Sequence, residues 1–114
     1  MGEERELIRY HVEGKVGVVA IDRPEKRNAM TYAMLGDFIE TVGRADDDPS
    51  TTVLVITGVP GAFCAGTDLA DLATVPGEVR GLRGEAEERH NWWPIAQARK
   101  RTIGAIDGPA VGMG

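Results

Sequence analysis

The chain has 114 residues, a formal net charge of −5, and 42% hydrophobic and 27% charged residues, enough for one domain or part of one. The negative charge argues against nucleic acid as a main partner, while local charge still decides whether an anionic small ligand binds. The longest apolar runs are strand-sized rather than membrane-sized. Residues 1–6 are acidic and lack a signal-peptide core, and a single cysteine cannot build an internal disulfide. A cytoplasmic protein with no membrane partner is expected.

In chain order, residues 7–11 alternate weakly and predict a first strand. Glu13-Gly14-Lys15 reads as a turn, and the apolar run 16–21 as a second strand, completing a hairpin. Residues 22–28 form a charged loop containing Pro24. A helix opens at Met30 or Thr31, with Leu35, Phe38, Ile39 and Val42 on one face, and ends at Asp46-Asp47-Asp48-Pro49. The β-branched run from Val53 predicts a buried strand, and strand–helix–strand order suggests a right-handed crossover onto a partly parallel sheet. The charged stretch 78–89 reads as a mobile lid, and 91–101 as a helix with Arg99, Lys100 and Arg101 at its cation-favouring end. Residues 102–106 predict a last strand.

Two stretches share one grammar. The strand at 53–56 runs into Gly58, Pro60 and Gly61, then Phe63-Cys64-Ala65-Gly66-Thr67-Asp68-Leu69, and the strand at 102–106 runs into Asp107-Gly108-Pro109-Ala110-Val111-Gly112-Met113-Gly114. A strand, a glycine turn and a helix start turn successive backbone N–H groups outward, where they can hold a negative oxygen. Each loop could offer one N–H to a single oxyanion, which is what acyl-group chemistry requires. Other features read more plainly. Gly61 and Gly66-Thr67 graze a phosphate-binding loop, but the lysine before Thr67 is missing. Cys64 has no histidine motif beside it and reads as a small packed thiol. His11 and His90 lack metal-ligand spacing, so no metal site is expected. Trp92 and Trp93 read as core or subunit contacts.

Three segments carry a resemblance. Ile21-Asp22-Arg23-Pro24-Glu25-Lys26-Arg27-Asn28-Ala29-Met30 resembles the "N-R-P-x-x-x-N-A" segment of the enoyl-CoA hydratase/isomerase (crotonase) superfamily. Residues 61–69 resemble its "F-x-A-G-x-D-L" loop, and residues 107–114 its "G-x-A-x-G-G-G" loop. The order of all three makes the match specific, and it covers nearly the whole chain but only the N-terminal part of the family's domain. It implies an α/β crotonase-like fold of repeated β-β-α units, residues 1–114 being the N-terminal part of a single acyl-CoA-binding catalytic domain. It implies a homotrimer or dimer of trimers, and an acyl-CoA thioester substrate, coenzyme A being part of the substrate rather than a cofactor.

Carried over by position, the resemblance assigns the oxyanion donors to the backbone N–H groups of Thr67 and Met113. Arg23, Lys26 and Arg27 would lie near the CoA phosphates or ribose, and Ala29 would also contact the substrate. Ala65, Gly66, Asp68, Leu69 and Gly112 would line the adenine and pantetheine path. Met113 stands where the family often has glycine, a change the backbone role tolerates. The family's catalytic glutamates fall beyond Gly114, so no residue here is assigned as acid or base, and residues 1–114 alone are expected to be inactive. An enoyl-CoA hydratase or isomerase is the leading reading. The rivals are a non-catalytic CoA-binding or oligomer-forming module and a nucleotide-binding α/β domain.

Overall fold

The computed structural model describes residues 6–66, 68, 97–111 and 114. The expected lid at 78–89, His90, Trp92 and Trp93, and residues 91–96 of the expected last helix lie outside these. The strands β1 (Ile8–Glu13) and β2 (Val16–Ile21) form the expected hairpin, paired from Ile8 opposite Ile21 to Glu13 opposite Val16. A single turn of 3-10 helix, Pro24–Lys26, follows, with proline at its start, where the missing N–H costs nothing. The helix α1 (Tyr32–Asp47) then leads to β3 (Val53–Gly58), and the described chain closes with β4 (Arg101–Ala105). The sheet order is β1-β2-β3-β4, with β3 parallel to both β2 and β4. The partly parallel sheet is as expected, with a crossover through α1 from β2 to β3, and β3 and β4 also share a direction.

Alternation along the strands decides which face α1 covers. Val19 and Ile21 of β2 and Leu54 and Ile56 of β3 are buried, while Val18, Ala20, Val53 and Val55 between them are half-buried. Against the buried set α1 lays Met34, Phe38, Thr41, Val42 and Ala45. The stripe is thus centred away from the expected Leu35, Phe38, Ile39 and Val42, and Leu35 and Ile39 are only half-buried at its flank. Thr41 and Ala45, which an apolar count undervalues, are small enough to let the helix approach the sheet.

Both ends of α1 are capped. Thr31 is extended and its Oγ1 accepts the Met34 N–H at 3.1 Å. At the other end Lys100 Nζ donates to the carbonyls of Ala45 (2.8 Å) and Asp48 (2.5 Å) and to Thr51 Oγ1 (2.7 Å). It satisfies carbonyls that a helix leaves without internal partners. Asp46 closes the clasp by accepting the backbone N–H groups of Arg99 (3.1 Å) and Lys100 (3.0 Å). Burial pushes the Asp46 carboxyl up, but these bonds and the Arg99 guanidinium outweigh it and hold the group below its ordinary value. Here the structure corrects the sequence reading: Arg101 opens β4, and Lys100 serves the C-terminus of α1 rather than of its own segment. β4 ends the described sheet, and near it Ile103, Ile106 and Val111 are 54%, 58% and 56% exposed. Among the described residues no helix is long and apolar enough to cross a membrane.

Asp48 makes α1's end sensitive to acid. Its carboxylate accepts the Ser50 hydroxyl (2.6 Å), the Tyr10 hydroxyl (2.6 Å) and the Ser50 N–H (2.9 Å), which together hold it at about 2. A carboxyl lowered by folding stabilises fully above its unfolded value near about 3.9 and loses that contribution as pH falls through the folded value. Asp48→Asn is expected to melt below the parent at neutral pH. The gap should close between about pH 4 and pH 2, because protonated aspartate and asparagine then bond alike. A gap in melting temperature that stays constant down to pH 2 would show that the charge contributes nothing.

Candidate functional site

The loops that follow β3 and β4 leave the same end of the sheet, because parallel neighbours share a direction. They pack edge to edge. Phe63 N–H and Cys64 N–H both donate to Pro109 O, at 3.0 and 3.2 Å, and Val111 N–H donates to Cys64 O at 3.0 Å. Cys64 and Ala110 form a parallel bridge. Gly108, at φ +127°, allows the contact: a Cβ there would sit 2.9 Å from Ala62 Cα.

A third segment, the loop before α1, lies against the first of these. Arg27 and Asn28 are both left-handed, at φ 51° and 59°, a conformation that asparagine tolerates better than most residues. This turns the Asn28 side chain inward, where it is 1% exposed. Its Oδ1 accepts the Arg23 N–H at 2.8 Å, and its Nδ2 donates to Ala62 O (2.8 Å) and Val59 O (3.3 Å). Gly58 makes room, since a Cβ there would meet Phe63 O at 2.5 Å and Asn28 Nδ2 at 2.7 Å. Beyond Asn28 the two loops run as a short ladder. Ala65 N–H donates to Arg27 O (3.1 Å), Met30 N–H to Gly66 O (2.8 Å), and Asp68 N–H to Met30 O (2.8 Å). Arg23 Nη1 spans the ladder, donating to Asp68 Oδ2 at 2.7 Å and Ala29 O at 3.1 Å.

Five of the eleven residues singled out from the sequence therefore converge. Arg23, Ala29, Ala65, Gly66 and Asp68 lie in one cluster, with Gly66 and Asp68 buried and Ala29 and Ala65 half-buried. Arg23 faces Asp68, its side chain only 17% exposed, whereas Lys26 and Arg27 are exposed on the adjoining turn. Thr67, Leu69, Gly112 and Met113 lie outside the described residues. Cys64 is buried, and burial pushes its thiol up, countered in part by a Gly66 backbone bond. His11 sits exposed on β1, 3.1 Å from Glu13. Sequence reasoning missed Asn28 and Met30; the usable signal was an asparagine just after a Pro-initiated turn, where a left-handed residue is needed.

The two bonded loops leave the carboxyl ends of parallel neighbouring strands, the place where ligands of open α/β sheets commonly bind. The enoyl-CoA hydratase/isomerase family model matches residues 11–114. The probable enoyl-CoA hydratase EchA14 of Mycobacterium tuberculosis is 32% identical over 108 residues, covering 90% of this chain and 40% of that protein. Enoyl-CoA hydratase ACTT3 of Alternaria alternata is 35% identical over 99 residues, covering 87% and 33%. The crystal structure of enoyl-CoA hydratase from Mycobacterium tuberculosis H37Rv superposes with a TM-score of 0.71 at 28% identity, covering 90% of this chain and 40% of that one. The chain belongs to the enoyl-CoA hydratase/isomerase family and has the crotonase fold, of which it spans the N-terminal part, about 40% of its relatives' length.

Two outcomes are expected. Asn28→Ala strands two carbonyls and the Arg23 N–H, and should cost about 2–4 kcal/mol in denaturant unfolding; a loss within about 0.5 kcal/mol, the range of an ordinary surface change, would show that the hub is dispensable. Cys64 should react with a thiol reagent such as dithiobis-nitrobenzoate far more slowly in the native protein than after unfolding, because only the thiolate attacks. Rapid stoichiometric labelling of the native protein would return Cys64 to the list of nucleophiles.

Proposed function

We propose that this chain is the acyl-CoA-binding N-terminal part of the catalytic domain of a crotonase-superfamily enzyme, acting on an enoyl-CoA thioester by hydration or double-bond isomerisation. In this reading the N–H groups of Thr67 and Met113 receive the thioester carbonyl oxygen. The observation that carries it is the bridge between Cys64 and Ala110. Thr67 and Met113 each follow a bridged residue by three positions, so the two loops are in step along the chain. Two amides aimed at one oxygen stabilise the negative charge that grows there as an enolate or tetrahedral oxyanion forms, with little reorganisation at the moment of reaction. They move no proton, so a separate acid and base complete the reaction, and none is assigned in this chain.

The ligand's phosphates are assigned to Lys26 and Arg27, whose side chains are exposed beside the site. Arg23 takes no phosphate, because its guanidinium is already engaged by Asp68 and Ala29. Gly66, Asp68, Leu69 and Gly112 border the pantetheine path. The exposed apolar residues near β4 support an assembly in which that edge is covered, a homotrimer or a dimer of trimers in this reading.

The test is a thermal-shift titration of the full-length protein with CoA, crotonyl-CoA and ATP, followed by a crotonyl-CoA hydration assay. Melting temperature should rise with CoA and crotonyl-CoA concentration by mass action, and not with ATP. Lys26→Ala combined with Arg27→Ala should weaken the CoA response about tenfold or more. Stabilisation by CoA without turnover of any enoyl-CoA would favour a non-catalytic binding module. Stabilisation by ATP alone would overturn the reading.

A further inference from the structure

The bases assigned to the phosphates and the loop assigned to the pantetheine belong to different segments, and one side chain joins the two. Residues 23–28 form an internally bonded turn. Lys26 N–H and Asn28 N–H both donate to Arg23 O, at 3.1 and 2.9 Å, and Arg27 N–H donates to Pro24 O at 3.1 Å. The Asn28 side chain completes this unit through Oδ1, which accepts the Arg23 N–H at 2.8 Å. The same amide reaches out of the unit: Nδ2 donates to Ala62 O at 2.8 Å and to Val59 O at 3.3 Å. Its seat is tight, since a Cβ on Gly58 would lie 2.7 Å from Nδ2. At 1% exposure, solvent does not compete for these bonds. Lys26 and Arg27 stand exposed on the turn, and Ala65 and Gly66 follow Ala62 on the loop.

We propose that Asn28 is a positioning residue for the ligand, a spacer that sets the distance between Lys26 and Arg27 on one side and the loop at Ala65 and Gly66 on the other. The inference rests on the acyl-CoA reading and adds to it a dependence on ligand length. A ligand that spans both places gains from their being held at one separation, because binding at one end raises the effective concentration of the other. A ligand that uses only one place gains nothing from the spacing. Loss of the amide therefore penalises an intact CoA ester more than either of its halves. A side chain that merely held the fold would penalise all three alike.

The experiment uses the full-length protein and compares the parent with Asn28→Gly, Lys26→Ala/Arg27→Ala and the triple variant, each assayed below its melting temperature. Glycine takes the left-handed backbone freely, so Asn28→Gly removes the amide bonds without adding strain. The measurements are kcat/KM for crotonyl-CoA, kcat/KM for crotonyl-pantetheine, and the inhibition constant of 3′-phospho-ADP. Asn28→Gly should cost crotonyl-CoA about tenfold or more beyond what it costs either half. In the triple variant no bases remain to be spaced, and that extra loss should shrink to within about threefold. Should Asn28→Gly fail to fold, Asn28→Asp carries the same comparison, since aspartate also accepts the left-handed backbone and keeps the Oδ1 acceptor. Losses of equal size on all three ligands, or an extra loss that persists in the triple variant, would overturn the spacer role while leaving the acyl-CoA reading intact. A parent protein that neither binds CoA nor turns over enoyl-CoA would overturn that reading, and this inference with it.

Discussion

The arrangement of the site depends on one buried amide. Asn28 bonds to three segments at once: the turn that opens at Arg23, the exit of β3 at Val59, and the loop at Ala62. The bond to Ala62 is buried and the other two are part-buried, so each lost bond would carry some of the desolvation cost of an orphaned polar atom. That cost is comparable to the energy needed to hold two consecutive left-handed residues, about 1–3 kcal/mol each. Once Asn28 is seated, Arg27 and Met30 stand opposite Ala65, Gly66 and Asp68, and the ladder follows from the geometry of the chain.

The second constraint is sheet direction. β3 and β4 are parallel neighbours, in register from Val53 opposite Arg101 to Thr57 opposite Ala105. Their following loops therefore start side by side and need few residues to meet at Cys64 and Ala110. Ligands in open α/β sheets bind outside the carboxyl ends of strands for this reason, since that is where loops from several strands converge on one volume. Parallel pairing requires the long connections that this chain supplies, α1 between β2 and β3 being one. Lys100 and Asp46 fasten the start of β4 to the end of α1, so the position of the second loop depends on the same helix that covers the core.

Local patterns in the sequence foretold the local structure. The apolar runs at Val16 and Val53 became β2 and β3, Thr31 became the cap of α1, and the last strand began one residue before its expected start. The three motif segments were legible as a family pattern, and their assembly into one cluster agrees with that resemblance. What escaped was pairing across long stretches of chain. Arg23 and Asp68 are 45 residues apart, Lys100 and Ala45 are 55 apart, and Asn28 and Ala62 are 34 apart. Such contacts leave no periodicity, and each residue type has an ordinary surface reading when seen alone. Arg23 shows the consequence: read beside Lys26 and Arg27 it looks like part of a basic patch, whereas folding turns it toward a carboxylate.

Under the proposed function, this division of the basic turn reconciles an acidic chain with an anionic ligand. A net charge of −5 acts over distances that physiological salt screens within about 8 Å, so groups at the site outweigh the total. Arg23 and Asp68 are turned toward each other, their side chains only 17% and 10% exposed. Lys26 and Arg27 remain exposed a few residues away, where polyanionic phosphates would gain most from them. In the proposed acyl-CoA reading, exposed bases on this turn suit a ligand whose charge is concentrated at the end that does not react. One short turn, wound around Asn28, thus carries both a buried ion pair and an exposed pair of bases.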